Sequence, residues 1–289
     1  MILGADGQLG SELRSQLDRA QIESGSDLSY IQADVDTFDI TEELMVSSFF
    51  KRHPSVDVVF NAAAYTAVDA AEDDADRAMQ INALGAANVA TGCRNIGARL
   101  IHFSTDFVFG EGHNEPIDET VRPDPLSVYG KTKLAGEQLA LQNNPATAVL
   151  RTSGLYSRWG KNFVRSIVTY AREKGRIEVV DDQFITPTPA TTLAEVSLAV
   201  ADAPIFPGGV YHASAGGECT WFEFADQIID LLKIDAAVVA TTAKAWGAAA
   251  RRPEYCALDN HRLRLRGLDS FRDWDEELRL FLEAYGDLF

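Results

Sequence analysis

A cluster of three glycines near the start of the chain constrains its fold more than any other feature. Gly4, Gly7 and Gly10 follow a short apolar run, and leucines at four-residue spacing over residues 9–17 continue the segment. That leucine spacing predicts an amphipathic helix. Glycines let a backbone turn tightly and approach a pyrophosphate closely, and the N–H groups of a helix N-terminus bind its charge. We therefore expect these glycines to form a dinucleotide-binding turn of the Rossmann type.

Short apolar runs alternate with amphipathic segments through the first half of the chain. After the first apolar run, strands are predicted at residues 28–33, 57–61, 98–104 and 146–151, and helices at 75–97 and 129–142. Apolar strands separated by helices indicate a parallel sheet covered on both faces. The predicted fold class is therefore α/β, a doubly wound parallel sheet. Only three residues precede Gly4, so the sequence leaves open whether the first strand is short or truncated at the given start.

The alternating pattern loosens in the second half of the chain. Helices are predicted at 161–174, 190–202, 220–233 and 273–286, with irregular stretches such as 181–189 between them. We expect residues 1–150 to form a dinucleotide-binding domain. Residues 151–289 are expected to form mainly a smaller C-terminal substrate-binding lobe, with segments near 160–175 and 190–213 returning to the first domain.

A formal net charge of −17 restricts the kinds of partner that the chain can bind. An acidic protein is repelled by nucleic-acid backbones and anionic lipid, although helix N-termini and single arginines still bind an anionic nucleotide. No apolar run is long enough to span a bilayer, and no secretory signal is recognisable at the N-terminus. The three cysteines lack the paired spacing of a disulfide framework or zinc site. We expect a cytoplasmic protein without nucleic-acid or membrane partners. The sequence leaves open whether the chain forms a homodimer.

Asp34 ends the second predicted strand, downstream of the glycines. A carboxylate at this position can accept a hydrogen bond from the ribose 2′-hydroxyl of NAD and would repel the 2′-phosphate of NADP. No Arg or Lys is adjacent to it in the sequence. Asp34 therefore favours NADH. The choice between NADH and NADPH stays open, because the segment is rich in aspartates that can equally be solvated loop acids.

Tyr129 and Lys133 lie four residues apart, which places them on one face of the predicted helix. A carbonyl reductase needs an acid that delivers a proton as hydride reaches the carbon. Tyrosine can be that acid, and a nearby ammonium favours the phenolate that remains. Thr105 and Asp106 end a predicted strand ahead of this helix, at the strand end where α/β sheets place their ligands. Thr105 is therefore a candidate hydrogen-bond donor to a substrate carbonyl.

Longer segments carry a resemblance to a known family. They lie at residues 4–13, 61–69, 104–109 and 128–137, with shorter ones at 151–153, 160–163, 182–183, 187–188, 209–212 and 251–253. Together they resemble the extended short-chain dehydrogenase/reductase family, and within it the dTDP-4-dehydrorhamnose reductases. The Asn-Ala-Ala-Ala-Tyr-Thr-Ala-Val-Asp stretch and the late Arg-Arg-Pro are the segments most specific to that branch, and the match spans nearly the whole chain.

The resemblance implies a reaction and assigns residues to it. Hydride would pass from NADPH or NADH to the C4 ketone of dTDP-4-dehydro-L-rhamnose, giving dTDP-L-rhamnose. Tyr129 would donate the proton, Lys133 would tune Tyr129 and bind the ribose, and Thr105 would bind the substrate carbonyl. Substrate contacts are implied for Val68, Thr105, Asp106 and Arg252. Besides the three glycines, cofactor contacts are implied for Gln8, Leu9, Asp34, Asp39, Ile40, Ala64, Tyr65 and Thr66.

Three positions depart from the pattern of this family. Gly154 stands where the family usually has a tryptophan that packs on the sugar, and Ile185 replaces a loop glycine. A β-branched residue excludes positive φ, and losing an aromatic platform should weaken or relax sugar binding. Trp159, close by in sequence, could compensate. Some members bind Mg²⁺ through an acidic residue near position 191 and one matching Glu12, but this chain has Thr191, so we expect no metal site.

Two further functions stay open on the sequence. One is a reductase or epimerase for another nucleotide-linked 4-keto sugar, which the missing aromatic at Gly154 suggests. The other is a non-catalytic NAD(P)-binding regulatory subunit, because this fold also serves in that role. The presence of Thr105, Tyr129 and Lys133 together argues against the second alternative.

Overall fold

Short strands and longer helices alternate along the chain, as the sequence predicts. The computed structural model describes residues 1–24 and 29–289. The strands in chain order are β1 (Ile2–Leu3), β2 (Gln32–Ala33), β3 (Val58–Asn61), β4 (Arg99–Thr105), β5 (Thr147–Thr152), β6 (Leu155–Tyr156), β7 (Arg176–Val180), β8 (Phe184–Ile185), β9 (Thr188–Pro189), β10 (Gly209–His212), β11 (Cys219–Thr220) and β12 (Ala237–Thr241). The predicted strand at 28–33 is limited to β2, and its first residue lies outside the described residues.

The predicted helices are present with shifted ends. The observed helices are α1 (Gln8–Ser24), α2 (Glu43–Arg52), α3 (Ala70–Asp73), α4 (Ala75–Met79), α5 (Ala86–Ile96), α6 (Val128–Asn143), α7 (Phe163–Lys174), α8 (Ala190–Asp202), α9 (Trp221–Leu231), α10 (Ala243–Trp246), α11 (His261–Leu265) and α12 (Trp274–Tyr285). Four of them, α2, α3, α10 and α11, have no counterpart among the predicted helices. A π-helical segment, Gln80–Gly85, joins α4 to α5, and 3₁₀ turns cover Asp106–Val108 and Gly286–Leu288. The single helix predicted at 75–97 is therefore interrupted by a π-helical segment.

Six parallel strands form the central sheet in the spatial order β10-β5-β4-β3-β1-β2. Neighbouring side chains on a strand point to opposite faces, so Ile2 packs with α1 and α8 while Leu3 packs with α2 and α5. Helices thus bury both faces, and the predicted doubly wound α/β class is confirmed. β1 is only two residues long, yet it lies between β2 and β3 and pairs with both.

A second apolar core lies in the C-terminal half of the chain. Its buried side chains come from α7, β7, α9 and α12, and Tyr156 and Phe224 are among its largest members. β7 pairs with β12, and the stretch predicted as irregular at 181–189 contains β8 and β9. Residues 190–213 supply α8 and the edge strand β10 to the first core. In contrast, α7 contributes its apolar face to the second core, because Val164, Ile167 and Val168 pack there.

A buried ion pair joins α6 to β5 of the central sheet. The guanidinium of Arg151 donates to both carboxylate oxygens of Glu137, over 2.8 and 2.7 Å, and both side chains are almost fully buried. Within residues 1–24 and 29–289, no helix is long and apolar enough to cross a membrane.

Replacing Glu137 should destabilise the fold strongly. In Glu137→Gln the Arg151 guanidinium stays buried without a counter-charge, so we expect the free energy of unfolding in denaturant to fall by about 3–5 kcal/mol. The matched control is Glu283→Gln, which removes the partner of Arg279 in an exposed pair on α12 and should cost less than about 1 kcal/mol. Equal losses in the two variants would contradict the structural weight given to the buried pair.

Candidate active site

The glycine turn joins the end of β1 to the start of α1. Gly4 has φ +71°, and a Cβ there would lie 2.6 Å from the backbone nitrogen of Ala63. A Cβ on Gly10 would lie 2.1 Å from the carbonyl oxygen of Gly4. No side chain fits at either position, so the glycines let the turn close against the loop after β3. Gly7 donates its N–H to the carbonyl of Gly4 within the same turn.

The turn leaves the N-terminus of α1 ready to bind an anionic group. α1 has 17 residues and begins at Gln8, whose side-chain oxygen Oε1 is buried and has no hydrogen-bond partner. Such an orphaned acceptor fits a donor from a bound molecule. The Leu9 side chain is buried in the first core, so it can serve a ligand only through its backbone. These residues fit the pyrophosphate end of a dinucleotide cofactor.

Asp34 lies beside this turn, at the end of β2. Its carboxylate accepts the N–H of Asp6 over 2.9 Å and that of Val35 over 2.7 Å. The structure also places here a cation that is not adjacent in sequence. Arg14 from α1 donates to Asp6 over 2.8 Å and to Gln32 over 3.2 Å. The ribose end of the site therefore carries two carboxylates and one guanidinium, and the local charge is negative.

Two other predicted cofactor residues shape the loop after β2. Asp39 accepts from the N–H and the hydroxyl of Thr41. Burial opposes ionisation of Asp39, but these hydrogen bonds outweigh it and its pKa lies below the ordinary value. Ile40 is buried against Gly85, where a Cβ would lie 2.7 Å from the Ile40 Cδ1 atom. The loop is thus pinned to the π-helical segment.

The loop after β3 is held by a residue that sequence reasoning missed. Asn82 accepts the N–H of Tyr65 over 2.8 Å and donates to its carbonyl over 3.1 Å, and it also donates to Thr132 on α6. Ala64 and Tyr65 are half-buried and Thr66 is exposed. Asn82 belongs to the π-helical segment, a deformation that often marks functional sites. The sequence shows an asparagine within a predicted helix, but it does not show that the side chain is buried or which residues it bonds.

β4 and α6 bring the predicted reaction centre together. Thr105 and Asp106 lie at the end of β4, and Ser127 caps α6 by accepting the N–H of Gly130. The phenol of Tyr129 lies close enough to Thr105 and Asp106 to interact with both, and its ring meets that of Phe107 edge-on with 5.7 Å between the centroids. Burial of the phenol, reinforced by the Asp106 carboxylate, holds the pKa of Tyr129 above its ordinary value. Tyr129 is therefore a neutral phenol, poised as an acid.

Lys133 lies one helical turn further along α6. Its Nζ atom donates to the carbonyl of Phe103 over 2.6 Å, and the side chain is 3% exposed. Burial lowers the pKa of Lys133 to about 8, although the Glu137 carboxylate partly offsets this. The ammonium is still the main form near neutral pH, and the carbonyl uses only one of its three donors.

Asp106 has partners that the sequence did not reveal. Ser153, after β5, donates its hydroxyl to Asp106 Oδ2 over 2.7 Å, while Thr105 donates to Oδ1 over 2.8 Å. The thiol of Cys256 forms a third hydrogen bond. Nothing in the spacing of these residues along the chain indicates that they meet.

The predicted substrate contacts Val68 and Arg252 lie on either side of Asp69. Val68 is half-buried, and Arg252 forms a bidentate pair with Asp69 over 3.0 and 2.8 Å. The hydrogen bonds from Arg252 hold the pKa of Asp69 below its ordinary value. Arg252 thus reaches the segment after β3 from the C-terminal half, but its guanidinium is engaged.

Arg252 also lines a cavity of ≈ 1160 Å³, here called the C-terminal cavity. Basic and aromatic side chains stand out in its wall: Lys174, Arg176, Lys244, Arg251, Trp221 and Trp246. Drug-sized ligands occupy pockets of roughly 300–1,000 Å³, so this volume admits a molecule as large as a nucleotide sugar. The basic groups give such a ligand cationic partners for its phosphates.

The departures at Gly154 and Ile185 turn out to be neighbours. Gly154 has φ +54°, and a Cβ there would lie 3.0 Å from Pro187 Cα and 3.2 Å from Ile185 Cδ1. Ile185 lies in β8 and is 2% exposed. The isoleucine therefore fills space into which a side chain at position 154 would extend. Because Ser153 contacts Asp106, this pair borders the reaction centre.

Glu12, which matches one of the two acidic residues of the family's Mg²⁺ site, is engaged within the chain. Its carboxylate accepts from the Trp159 ring nitrogen over 3.1 Å and lies 3.3 Å from Arg158 Nε. Trp159 is 40% exposed and carries the Arg158 guanidinium over its ring. This contact ties the loop before α7 to α1, so Trp159 packs on Arg158 and Glu12.

The fold and this site together define an extended short-chain dehydrogenase/reductase, with a dinucleotide turn and a Thr-Tyr-Lys centre at one sheet edge. Comparison with known proteins makes the assignment specific. The family model described as the RmlD substrate binding domain matches residues 1–286. The chain belongs to the dTDP-4-dehydrorhamnose reductase family.

Three relatives illustrate the match. The crystal structure of a dTDP-4-dehydrorhamnose reductase from Clostridium acetobutylicum is 38% identical, with TM-score 0.93, covering 99% of this chain and 98% of that one. The enzyme from Bacillus anthracis, solved with NADP, is 35% identical with TM-score 0.92 and 98% coverage of both chains. A probable dTDP-4,6-dihydroxy-2-methyloxan-3-one 4-ketoreductase from Streptomyces antibioticus is 38% identical over 290 residues, 100% of this chain and 95% of that protein.

A methyl group at position 154 should destabilise the protein for two separable reasons. Gly154→Ala places a side chain at φ +54° and also against Pro187 and Ile185, so we expect a loss of about 2–4 kcal/mol in unfolding free energy. Gly97→Ala is the matched control, with φ +77° but open space around the new Cβ, and should lose about 1–2 kcal/mol. If the two variants lose the same amount, the crowding at position 154 has no energetic weight.

Proposed function

We propose that the protein is a cytoplasmic NAD(P)H-dependent reductase that converts the C4 ketone of dTDP-4-dehydro-L-rhamnose to the alcohol of dTDP-L-rhamnose. The observation that carries the proposal is that Tyr129 on α6 meets Thr105 and Asp106 at the end of β4, at the same sheet edge as the glycine turn. Relatives that match the chain over nearly its whole length bear the name of this activity. They support the substrate, whereas the geometry supports the chemistry.

The residues divide the work of the reaction. When bound, NAD(P)H supplies the hydride. Tyr129 delivers the proton to the ketone oxygen, because burial keeps its phenol protonated at neutral pH. Lys133 is held by the Phe103 carbonyl next to the end of β4, and its positive charge favours the phenolate that forms. Thr105 offers a hydroxyl beside the phenol, in reach of the same oxygen.

The C-terminal cavity is the proposed place of the dTDP group. Its lysines and arginines suit the diphosphate, and Trp221 and Trp246 offer flat apolar surface to the base. The bidentate Arg252–Asp69 pair stands at its edge. Arg252 can bind the diphosphate only when its pair with Asp69 opens. Arg251, Lys174 and Lys244 also line the cavity, and their side chains are exposed.

A second candidate substrate is another dTDP-linked 4-keto sugar. The observation in its favour is that Ile185 fills the space beside Gly154, so no side chain at 154 can pack on the sugar there. The Streptomyces antibioticus relative is named for a different dTDP-linked ketone. Product analysis with dTDP-linked and GDP-linked 4-keto sugars decides between the candidates.

Removing the phenol hydroxyl should abolish most of the reaction. With enzymatically made dTDP-4-dehydro-L-rhamnose, the wild type should oxidise NADH or NADPH, and Tyr129→Phe should lower kcat by about 10²–10⁴-fold. Tyr30→Phe, just before the amino end of β2, is the control. It removes a hydroxyl that donates to Asp18, and it should keep full activity. Absence of substrate-dependent oxidation in the wild type refutes the proposed reaction, and near-full turnover by Tyr129→Phe refutes the proton donor.

The charges at the ribose end should favour NADH. Asp34 and Asp6 outnumber Arg14, so we expect NADPH to bind more weakly than NADH when each is titrated by tryptophan fluorescence. Asp34→Asn should improve NADPH binding by about tenfold, the effect of roughly 1.4 kcal/mol of relieved repulsion. Asp36→Asn changes the charge equally in the exposed loop and should leave the ratio unchanged. Tighter binding of NADPH than NADH to the wild type would contradict this reading.

A further inference from the structure

Asp106 is a buried carboxylate whose only polar contacts in the described residues are hydrogen donors. It is 2% exposed, and within residues 1–24 and 29–289 no lysine or arginine forms an ion pair with it. The hydroxyls of Thr105 and Ser153 and the thiol of Cys256 donate to it. An ionised carboxylate only accepts hydrogen bonds, so this donor set matches the anion.

The hydroxyl of Thr105 has one hydrogen, and Asp106 takes it. Towards its other neighbours the oxygen can then only accept, as it does from the N–H of Phe107 over 3.2 Å. While Asp106 is an anion, Thr105 therefore has no hydrogen to give to a ketone oxygen.

Ser153 is committed in the same way. Its oxygen accepts the N–H of Thr186 over 3.3 Å, and its single hydrogen goes to Asp106. When Asp106 is protonated, its own O–H group also needs an acceptor. At least one of the neighbours that donate to the anion must then accept a hydrogen bond instead. Thr105 is the neighbour beside the phenol, where a released hydrogen would meet the substrate.

Both forms of Asp106 are accessible near neutral pH. Burial raises the pKa of its carboxyl to about 6, although the three donors act in the opposite direction. The titratable groups that face it are Tyr129 from α6 and Cys256 from the segment that follows α10. The pKa of each is raised, so both stay neutral over this range.

We propose that Asp106 is a titratable switch in the reaction centre, a positioning residue that acts through Thr105. As an anion it withholds the Thr105 hydroxyl hydrogen from the ketone, and as a neutral acid it releases that hydrogen for the ketone oxygen. Tyr129 remains the proton donor throughout, and Asp106 undergoes no net change in the reaction. The inference rests on the proposed reductase function, which supplies the ketone.

The first test is the pH dependence of kcat with saturating cofactor and sugar. The active form is the neutral acid, so kcat should be constant well below pH 6 and should fall as pH rises through about 6. The slope should approach about tenfold per pH unit. A separate fall near pH 8 is expected where Lys133 loses its proton. The two limbs are far enough apart to be assigned.

Asp106→Asn separates the switch from a structural role. The amide can donate to the Thr105 oxygen at every pH, as the neutral acid does, and it does not titrate. Whatever its absolute kcat, the variant should lose the limb near pH 6 and keep the limb near pH 8. A variant that keeps the limb near pH 6 would overturn the proposal.

Cys256→Ala tests the same idea without touching the switch. Removing a donor to the anion destabilises the anion and raises the pKa of Asp106, so the limb should move to higher pH. The variant should then be faster than the wild type at pH 7. Cys219→Ala makes the same change in the second core and should leave the limb in place. An unshifted limb in Cys256→Ala would contradict the assigned donor.

A measurement without substrate keeps the two proposals distinct. Infrared difference spectra of the wild type minus Asp106→Asn should show a protonated carboxyl band that appears as pH falls through about 6. If no variant turns over the sugar but this band titrates, the proposed reaction fails while the buried titrating acid stands. If the sugar is reduced with no limb near pH 6, the reaction stands and the switch is refuted.

Discussion

Parallel strand pairing is the constraint on which the rest of the structure depends. When six strands run the same way, all of their carboxyl ends meet at one edge of the sheet. That edge collects the glycine turn after β1, Asp34 after β2, Tyr65 after β3, and Thr105 with Asp106 after β4. Helix α1 starts beside it, directly after the glycine turn. The reaction centre is therefore a consequence of topology, since residues more than a hundred positions apart are delivered to one place.

Close backbone approach makes that edge compact enough to be a site. Gly4 and Gly10 allow the turn to press on the loop after β3, and Gly136 on α6 lies where a Cβ would be 2.0 Å from the Asn82 carbonyl oxygen. The same contact brings α6, and with it Tyr129 and Lys133, against the π-helical segment. Burial then does the chemical work, because it raises the pKa of Tyr129 and Asp106 and lowers that of Lys133.

The second core supplies residues that line the C-terminal cavity. The bidentate Arg252–Asp69 pair joins the two halves of the chain at its edge. Gly154 and Ile185 pack against each other, and Ile185 occupies space into which a side chain at 154 would extend. A larger side chain at 154 would need both a different backbone conformation and a smaller neighbour.

The sequence by itself determined the fold class, the order of the main helices and strands, and the residues with chemical potential in the reaction centre. Periodicity and glycine spacing depend on residues that are close in sequence, so they can be identified without the folded structure. The tertiary structure alone decided that Arg14 binds Asp6 beside Asp34, that Asn82 holds Tyr65, and that Ser153 and Cys256 converge on Asp106. These contacts link residues from different elements across folded distances, and no spacing along the chain encodes such distances. The protonation states follow from burial, which exists only once the chain has folded.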